Sequence, residues 1–213
     1  APGEGFAKVG VRSQITTPIL NFPSAWADSE RHHLDKSLNF FEWAVGRPNL
    51  TTGFAPHAPY TVSDGGFEQI LRYSTDLDLI IHLHLHESKE EITLHQAEHG
   101  NRPIARLRAL GLINSHLQAV HMTDLTEVEI NQLAAAKVRI AHCPESNLKL
   151  ASGICPTQTL LKRGVIVGLG TDGAASNNDL DMFQELRAAA MLAKVTSGDP
   201  TALDAFSALE MAT

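Results

Sequence analysis

With 213 residues, 43% of them hydrophobic and 19% charged, the chain can bury a sizeable core, which excludes a disordered segment and allows one domain or at most two. A formal net charge of -7 without a Lys/Arg stripe excludes a nucleic-acid backbone as main partner, since that affinity comes from clustered cations. Two cysteines, Cys143 and Cys155, are too few for a disulfide-stapled secreted scaffold, and no apolar run of about 18 residues marks a membrane span.

Residues 1–10 (APGEGFAKVG) look like a helix end rather than a targeting segment. The sequon Asn49-Leu50-Thr51 carries no meaning without secretion. The expectation is a soluble, cytoplasmic protein with no membrane partner.

Val11 to Leu20 is β-rich and stops at Asn21-Phe22-Pro23. Leu34, Leu38, Phe41 and Val45 then recur at helical spacing, which predicts a helix over Ser29 to Val45 with Asp28 or Ser29 as its cap and Gly46 beyond its end. Asn49 to His57 gives a second strand, and Ser63 caps a helix to about Thr75. Gly65 and Gly66 in its first turn are a liability of about 1 kcal/mol each against alanine. The third strand lies in Leu79 to Glu87 and is followed by helical segments over Lys89 to His99 and Pro103 to Leu110.

Leu117 to Met122 is a fourth strand, followed by a helix over Leu125 to Ala136 on Leu125, Val128, Ile130 and Leu133. Val138 to Cys143 is a fifth, followed by a polar loop, PESNLKLASGIC, and a short helix over Thr157 to Arg163. Val165 to Thr171 is a sixth, and Asp179 opens a helix through Leu180, Phe183, Leu186 and Ala190. Strict alternation predicts parallel strands joined by right-handed crossovers, in a closed eightfold barrel or an open doubly wound sheet. His57, His84 to Glu87, His121, His142 and Asp172 gather where strands end, which is the habit of a (β/α)8 barrel. An open sheet would collect its ligand groups at one switch point.

The third strand carries the densest chemistry. Residues 79–87 read LIIHLHLHE, and strand alternation puts His82, His84 and His86 on one face with Leu83 and Leu85 on the other. Imidazole is a common metal ligand, and Glu87 just beyond could carry a proton over the same site. Spacing leaves open which histidine binds, and a hydrogen-bonded core histidine is the plainer account of any one of them.

Residues 168–173, GLGTDG, fit the dinucleotide pattern after a strand. The AASNND that follows is a loop rather than a helix start, however, and an aspartate inside the pattern repels phosphate. Asp172 is a candidate metal ligand or base, with a turn aspartate as its competitor. His121 is either a buried hydrogen-bonded imidazole or an acid–base partner, and His142 beside Cys143 fits loop and packing structure. His95 and His99 share a helix face at i,i+4 but fit a solvated face. No H-x-E pairs with P-C-x-x-C, so the His/Cys/Cys zinc deaminase site is absent.

Taken together, HAPYTVS from His57, HLHE from His84, VHMTDL from Val120, HCPESNLKLASGICP from His142 and GTDGAASNNDLDM from Gly170 resemble the amidohydrolase superfamily. Within it they resemble the 5-methylthioadenosine/S-adenosylhomocysteine deaminases, near the triazine-type chlorohydrolases. The resemblance implies a distorted (β/α)8 TIM-type barrel, incomplete here because counting back from Asp172 as strand eight makes the chain begin at strand three. It implies His84 as metal ligand, Glu87 as proton carrier, Asp172 as metal ligand and proton acceptor, His121 as the group orienting the nucleophile, and His57 as a substrate contact. Glu87 and Asp172 would also touch substrate, while His82 and His86 stay outside the ligand set.

The implied activity is hydrolytic deamination of an adenosine thioether at C6, releasing ammonia, with another purine or triazine hydrolase as the alternative. Zinc is the implied cofactor, with iron as its substitute, the partner is a small purine nucleoside, and a homo-oligomer is compatible with the family. The family places two further ligands in an H-x-H on strand one. The only histidines before His57 are His32 and His33, adjacent and helical. Residues 1–213 are therefore expected to be part of a barrel domain without strands one and two and the small β domain, to bind metal poorly alone, and to have little activity. An inactive remnant is the competing account.

Overall fold

The computed structural model describes residues 5, 6 and 9–213, and the helix end expected at residues 1–10 falls largely outside them. Among the described residues there are six strands: β1 (Ser13–Ile19), β2 (Leu50–Pro56), β3 (Ile80–Leu85), β4 (Leu117–His121), β5 (Arg139–His142) and β6 (Ile166–Leu169). Their order in the sheet is β1-β2-β3-β4-β5-β6. The registers are parallel, with Ser13 opposite Leu50, Gly53 opposite Ile80, Gln118 opposite Arg139 and Arg139 opposite Ile166. Order in space equal to order in sequence is what successive right-handed βα units produce, whereas a doubly wound sheet reverses at its switch point. The strands thus follow the barrel succession expected from sequence.

The chain divides into two compact units, Ala1–Leu83 with Leu110–Leu112, and His84–Ala109 with Ile113–Thr213. The first contains β1, β2 and the helices α1 (Glu30–Ala44) and α2 (Asp64–Leu77). Ser29 caps α1 by accepting the His32 N–H, and Ile19, Leu34, Phe54, Phe67 and Ile70 form the buried apolar set. Gly66, a liability by helix propensity, has a packing reason. A Cβ there would meet the Glu30 carboxylate at 2.6 Å, and that carboxylate accepts the Ser63 N–H at 2.8 Å and the Ser63 hydroxyl at 2.6 Å.

The second unit contains β4 to β6 with α3 (Lys89–His99), α4 (Pro103–Ala109), α5 (Glu127–Ala135), α6 (Pro144–Lys149), α7 (Thr157–Lys162), α8 (Met182–Ser197) and α9 (Ala205–Met211). Leu85, Ile104, Leu107, Leu117, Ala119, Leu133 and Leu160 are buried in it.

Three expectations are corrected here. The first half of the loop expected after β5, Pro144–Lys149, is helical, because Pro144 sits in the first turn of α6, where its fixed φ suits a helix and its missing N–H is no loss, while the second half is a loop as expected. On α5, Val128 is exposed and Glu129 buried, since Glu129 closes a capping box with Thr126 and pairs with Arg102. At α8 the cap is Asp181, not Asp179, and Leu180 and Phe183 are exposed.

Candidate active site

The strand that carries the histidines ends one residue earlier than its sequence alternation suggests. Ile81, Leu83 and Leu85 are fully buried on one face of β3, and His82 and His84 alternate with them. His86 then takes φ 50°, a left-handed conformation that breaks the alternation. The expectation of three imidazoles on one face is corrected to two.

His86 is fully buried, with Nδ1 donating to the Asp124 carbonyl at 2.9 Å and Nε2 accepting the Ile104 N–H at 3.4 Å. Burial lowers its pKa to about 4, against the Asp124 bond, which raises it. A neutral imidazole with both nitrogens engaged ties the end of β3 to the first turn of α4 and cannot ligate a metal. Arg102 braces the same corner, donating to Asp124 Oδ1 at 2.8 Å and to Glu129 Oε1 at 2.7 Å.

Glu87 follows on a backbone clamped from both sides. Its N–H donates to Glu91 Oε2 at 2.7 Å, and the His86 N–H donates to Glu91 Oε1 at 3.2 Å. Burial raises the Glu91 pKa to about 7 against these two donors. From the other side the Thr123 hydroxyl contacts the Glu87 carbonyl at 2.8 Å and the His86 carbonyl at 3.1 Å. Gly153 makes room for Thr123, because a Cβ on it would meet Thr123 Cβ and Oγ1 at 2.9 Å, and its φ of 137° suits glycine alone.

Opposite this clamp stands His121, at the end of β4 with φ 74°. Its ring stacks on His84 with centroids 5.2 Å apart, and its Nε2 lies 3.8 Å from Glu87 Oε2. Nδ1 meets Asn147 Oδ1 at 2.9 Å, an acceptor-only atom, so Nδ1 carries a proton and Nε2 is the ring nitrogen turned to the Glu87 side. Of the two readings open to His121 from sequence, the geometry shows the buried, hydrogen-bonded imidazole, with a carboxylate oxygen of Glu87 3.8 Å from Nε2.

Asp172 lies just beyond β6 with φ 61°. Ser146 and Ser176 each donate a hydroxyl to its Oδ2 at 2.7 Å, and the Gly173 N–H donates to Oδ1 at 2.7 Å. Burial alone would raise its pKa. The three donors and nearby His121 outweigh burial and hold the carboxyl below its ordinary range, so it is ionised at neutral pH.

His84, Glu87, His121 and Asp172 therefore belong to one unit, while His57 lies in the other at the exposed end of β2, with Thr61 Oγ1 at 3.4 Å from its Nδ1. His142 is buried with both ring nitrogens lacking a hydrogen-bond partner among the described residues, and burial pushes its pKa down to about 4. Residues 168–173 do not lead into a helix, since α8 begins at Met182, and the dinucleotide alternative is set aside.

Imidazole and an ionised carboxylate are the donor chemistry of a divalent zinc-type cation. Among the described residues, however, no three His, Cys, Asp or Glu side chains converge as a metal-holding group. The donors fit in kind and fall short in number. Sequence reasoning missed Glu91, Arg102, Asn147, Ser146 and Ser176. Asn147 and the two serines lay inside the quoted PESN and AASNN strings, where Ser and Asn beside a strand-end carboxylate or imidazole are the signal available.

Parallel βα units with acid–base and ligand-type side chains at the carboxyl ends of successive strands define this as a segment of a (β/α)8-type barrel. The chain belongs to the amidohydrolase family, whose sequence model matches residues 5–213. It is 48% identical over 206 residues to a 5-methylthioadenosine/S-adenosylhomocysteine deaminase of Teredinibacter turnerae, covering 97% of this chain and 47% of that protein. A protein of the same description from Saccharophagus degradans is 42% identical over 213 residues, covering 100% of this chain and 48% of the relative. The crystal structure of an adenosine deaminase from Xanthomonas campestris with bound zinc superposes with a TM-score of 0.96 at 48% identity, over 98% of this chain and 47% of that one. The chain spans about half the length of the curated relatives it matches.

Proposed function

We propose that the protein carrying this chain is a metal-dependent aminohydrolase that converts 5-methylthioadenosine or S-adenosylhomocysteine, with water, to the inosyl product and ammonia. The observation that carries this reading is the meeting of Glu87 with His121 Nε2 at 3.8 Å, one ring-stack away from His84, with Asp172 kept ionised close enough to feel His121. The likeness to the deaminases of Teredinibacter turnerae and Saccharophagus degradans supports the substrate class.

In this reading His84 and Asp172 hold the cation, zinc or iron, and the remaining ligands come from outside the described residues. When bound, the cation supplies hydroxide at neutral pH by lowering the pKa of water from 15.7 to about 7. His121 orients the attacking oxygen through Nε2, the ring being fixed by Asn147. Asp172 takes the proton from the nucleophile. Glu87 gives a proton to the adenine ring nitrogen, where it stays in the inosyl product, the proton taken by Asp172 passes to the departing amine, and ammonia leaves as C6 becomes a carbonyl carbon. His57 contacts the nucleoside. The protein acts in the cytoplasm on a small molecule, alone or as a homo-oligomer. Among the described residues, no helix is long and apolar enough to cross a membrane.

The test is ammonia release from 5-methylthioadenosine, S-adenosylhomocysteine, adenosine and guanine, in the parent and in Glu87→Gln. Turnover of a thioether with at least a 100-fold fall in kcat for Glu87→Gln is expected, within the range of about 10²–10⁴ for acid–base catalysis. Release from guanine alone would move the protein to another purine deaminase. Full activity of Glu87→Gln would end the role given to that residue.

A further inference from the structure

Glu185 on α8 is fully buried, and its carboxylate meets groups that have so far had no role. Oε2 accepts the Glu145 N–H at 3.1 Å and Oε1 accepts the Asn177 amide at 2.5 Å. Glu145 immediately precedes Ser146, and Asn177 immediately follows Ser176. Those two serines are the hydroxyl donors to Asp172 Oδ2. A single carboxylate thus joins the first turn of α6 to the loop after β6, one residue away from each serine.

Asn177 cannot turn away, because its Oδ1 accepts the N–H groups of Asp179 at 3.2 Å and Leu180 at 2.9 Å, which leaves its amide facing Glu185. Both partners of Glu185 are donors, so only an acceptor-only group satisfies the two together. The placement is costly. Burial raises the Glu185 pKa to about 7 despite the Glu145 N–H, and the neighbouring Glu145 carboxylate adds to the rise. An apolar side chain would fill this core position without that burden.

We propose that Glu185 is a positioning residue for Asp172: by holding Glu145 and Asn177 it sets the two serine hydroxyls that fill Asp172 Oδ2. Oδ1 meets the Gly173 N–H and keeps acceptor capacity toward a cation. Supporting partners of this kind are worth about 10–100-fold in metal affinity when removed. The inference rests on the reading of Asp172 as a metal ligand.

The experiment measures zinc affinity by chelator competition, together with kcat and KM, on the protein carrying this chain. The variants are Glu185→Gln, Asn177→Asp, their double combination, Ser146→Ala with Ser176→Ala, and Asp172→Asn. Glutamine at 185 can accept from only one of the two donors, so zinc affinity falls about tenfold, with KM for the nucleoside near the parent value. Asn177→Asp sets two carboxylates against each other and weakens zinc as well.

The double variant reverses the polarity of the joint, since the new amide at 185 donates to the new carboxylate at 177. Zinc affinity then returns at least halfway on a logarithmic scale, which a role in folding alone would not produce. Removing both serine hydroxyls lowers affinity with the Glu185 joint intact, and keeps the idea testable if Glu185→Gln does not fold. Unchanged zinc affinity in Glu185→Gln, or in the serine pair, overturns the proposal, as does failure of the double variant to recover. If Asp172→Asn itself leaves zinc affinity unchanged, the ligand reading fails first. If Asp172→Asn lowers it and Glu185→Gln does not, only the role of Glu185 falls.

Discussion

At the scale of single residues, one hydrogen bond decides what His121 can do. Its Nδ1 proton is fixed by Asn147 Oδ1 at 2.9 Å, which holds the ring with Nε2 toward Glu87, the side proposed to hold the nucleophile. Replacing Asn147 by leucine frees the ring to exchange tautomer and rotate. The expected result is a fall in kcat for ammonia release of about tenfold or more, within the span of acid–base effects, while KM changes little. His142 makes a separate prediction about stability. Burial holds its pKa at about 4, below its ordinary 6.5, so the unfolded chain takes up a proton on acidification before the folded chain does. The contribution is fully present above pH 6.5 and is lost as pH falls toward 4, each displaced pKa unit being worth about 1.4 kcal/mol. His142→Leu removes this proton uptake. Its urea midpoint should therefore fall less than that of the parent between pH 7 and pH 4.5, and an equal fall in both would contradict the assignment.

At the scale of elements, Glu87 is aimed by its backbone rather than by its side chain, through Glu91 on one side and Thr123 on the other. Gly153→Ala would force a side chain into a φ of 137° and against Thr123, a strain of about 1–3 kcal/mol. Chemical denaturation should show that loss, and kcat should fall with it as Thr123 is pushed from the Glu87 carbonyl. Thr123→Val, which lacks the hydroxyl, should lower kcat with a smaller loss of stability. The strands and most helix starts were legible in the sequence because Ser29 and Ser63 announce caps and the apolar spacing is regular. The end of β3 was not, since the alternation of residues 82–86 continues in the letters while the chain turns at His86. Nor was α6, where PESNLK read as part of a polar loop although Pro144 stands at a helix start. Val128 read as part of the apolar face of its helix, whereas Glu129 is the buried neighbour, because its partner Arg102 lies 27 positions away in sequence.

At the scale of the whole molecule, the motifs at strand ends singled out Glu87, His121 and Asp172 as candidates, and the structure places all three just at or beyond strand ends. The residues that orient them depend on pairings such as Glu185 with Glu145, 40 positions apart, which no local pattern encodes. The same division bears on metal. In the proposed reading residues 1–213 offer two donors, His84 and Asp172, with no group of three among the described residues, while a zinc site takes four ligands, three from protein at a catalytic centre. Two donors hold a cation weakly because each missing ligand leaves a position to exchanging water. In equilibrium dialysis at equal concentrations of chain and zinc, residues 1–213 alone should therefore retain well under one zinc per chain, and Asp172→Asn should retain less still. A longer protein carrying this chain and supplying the H-x-H that the sequence resemblance implies should retain one. One tightly held zinc in the 213-residue chain, unaffected by Asp172→Asn, would mean that the cation has a different set of ligands from the one assigned to this site.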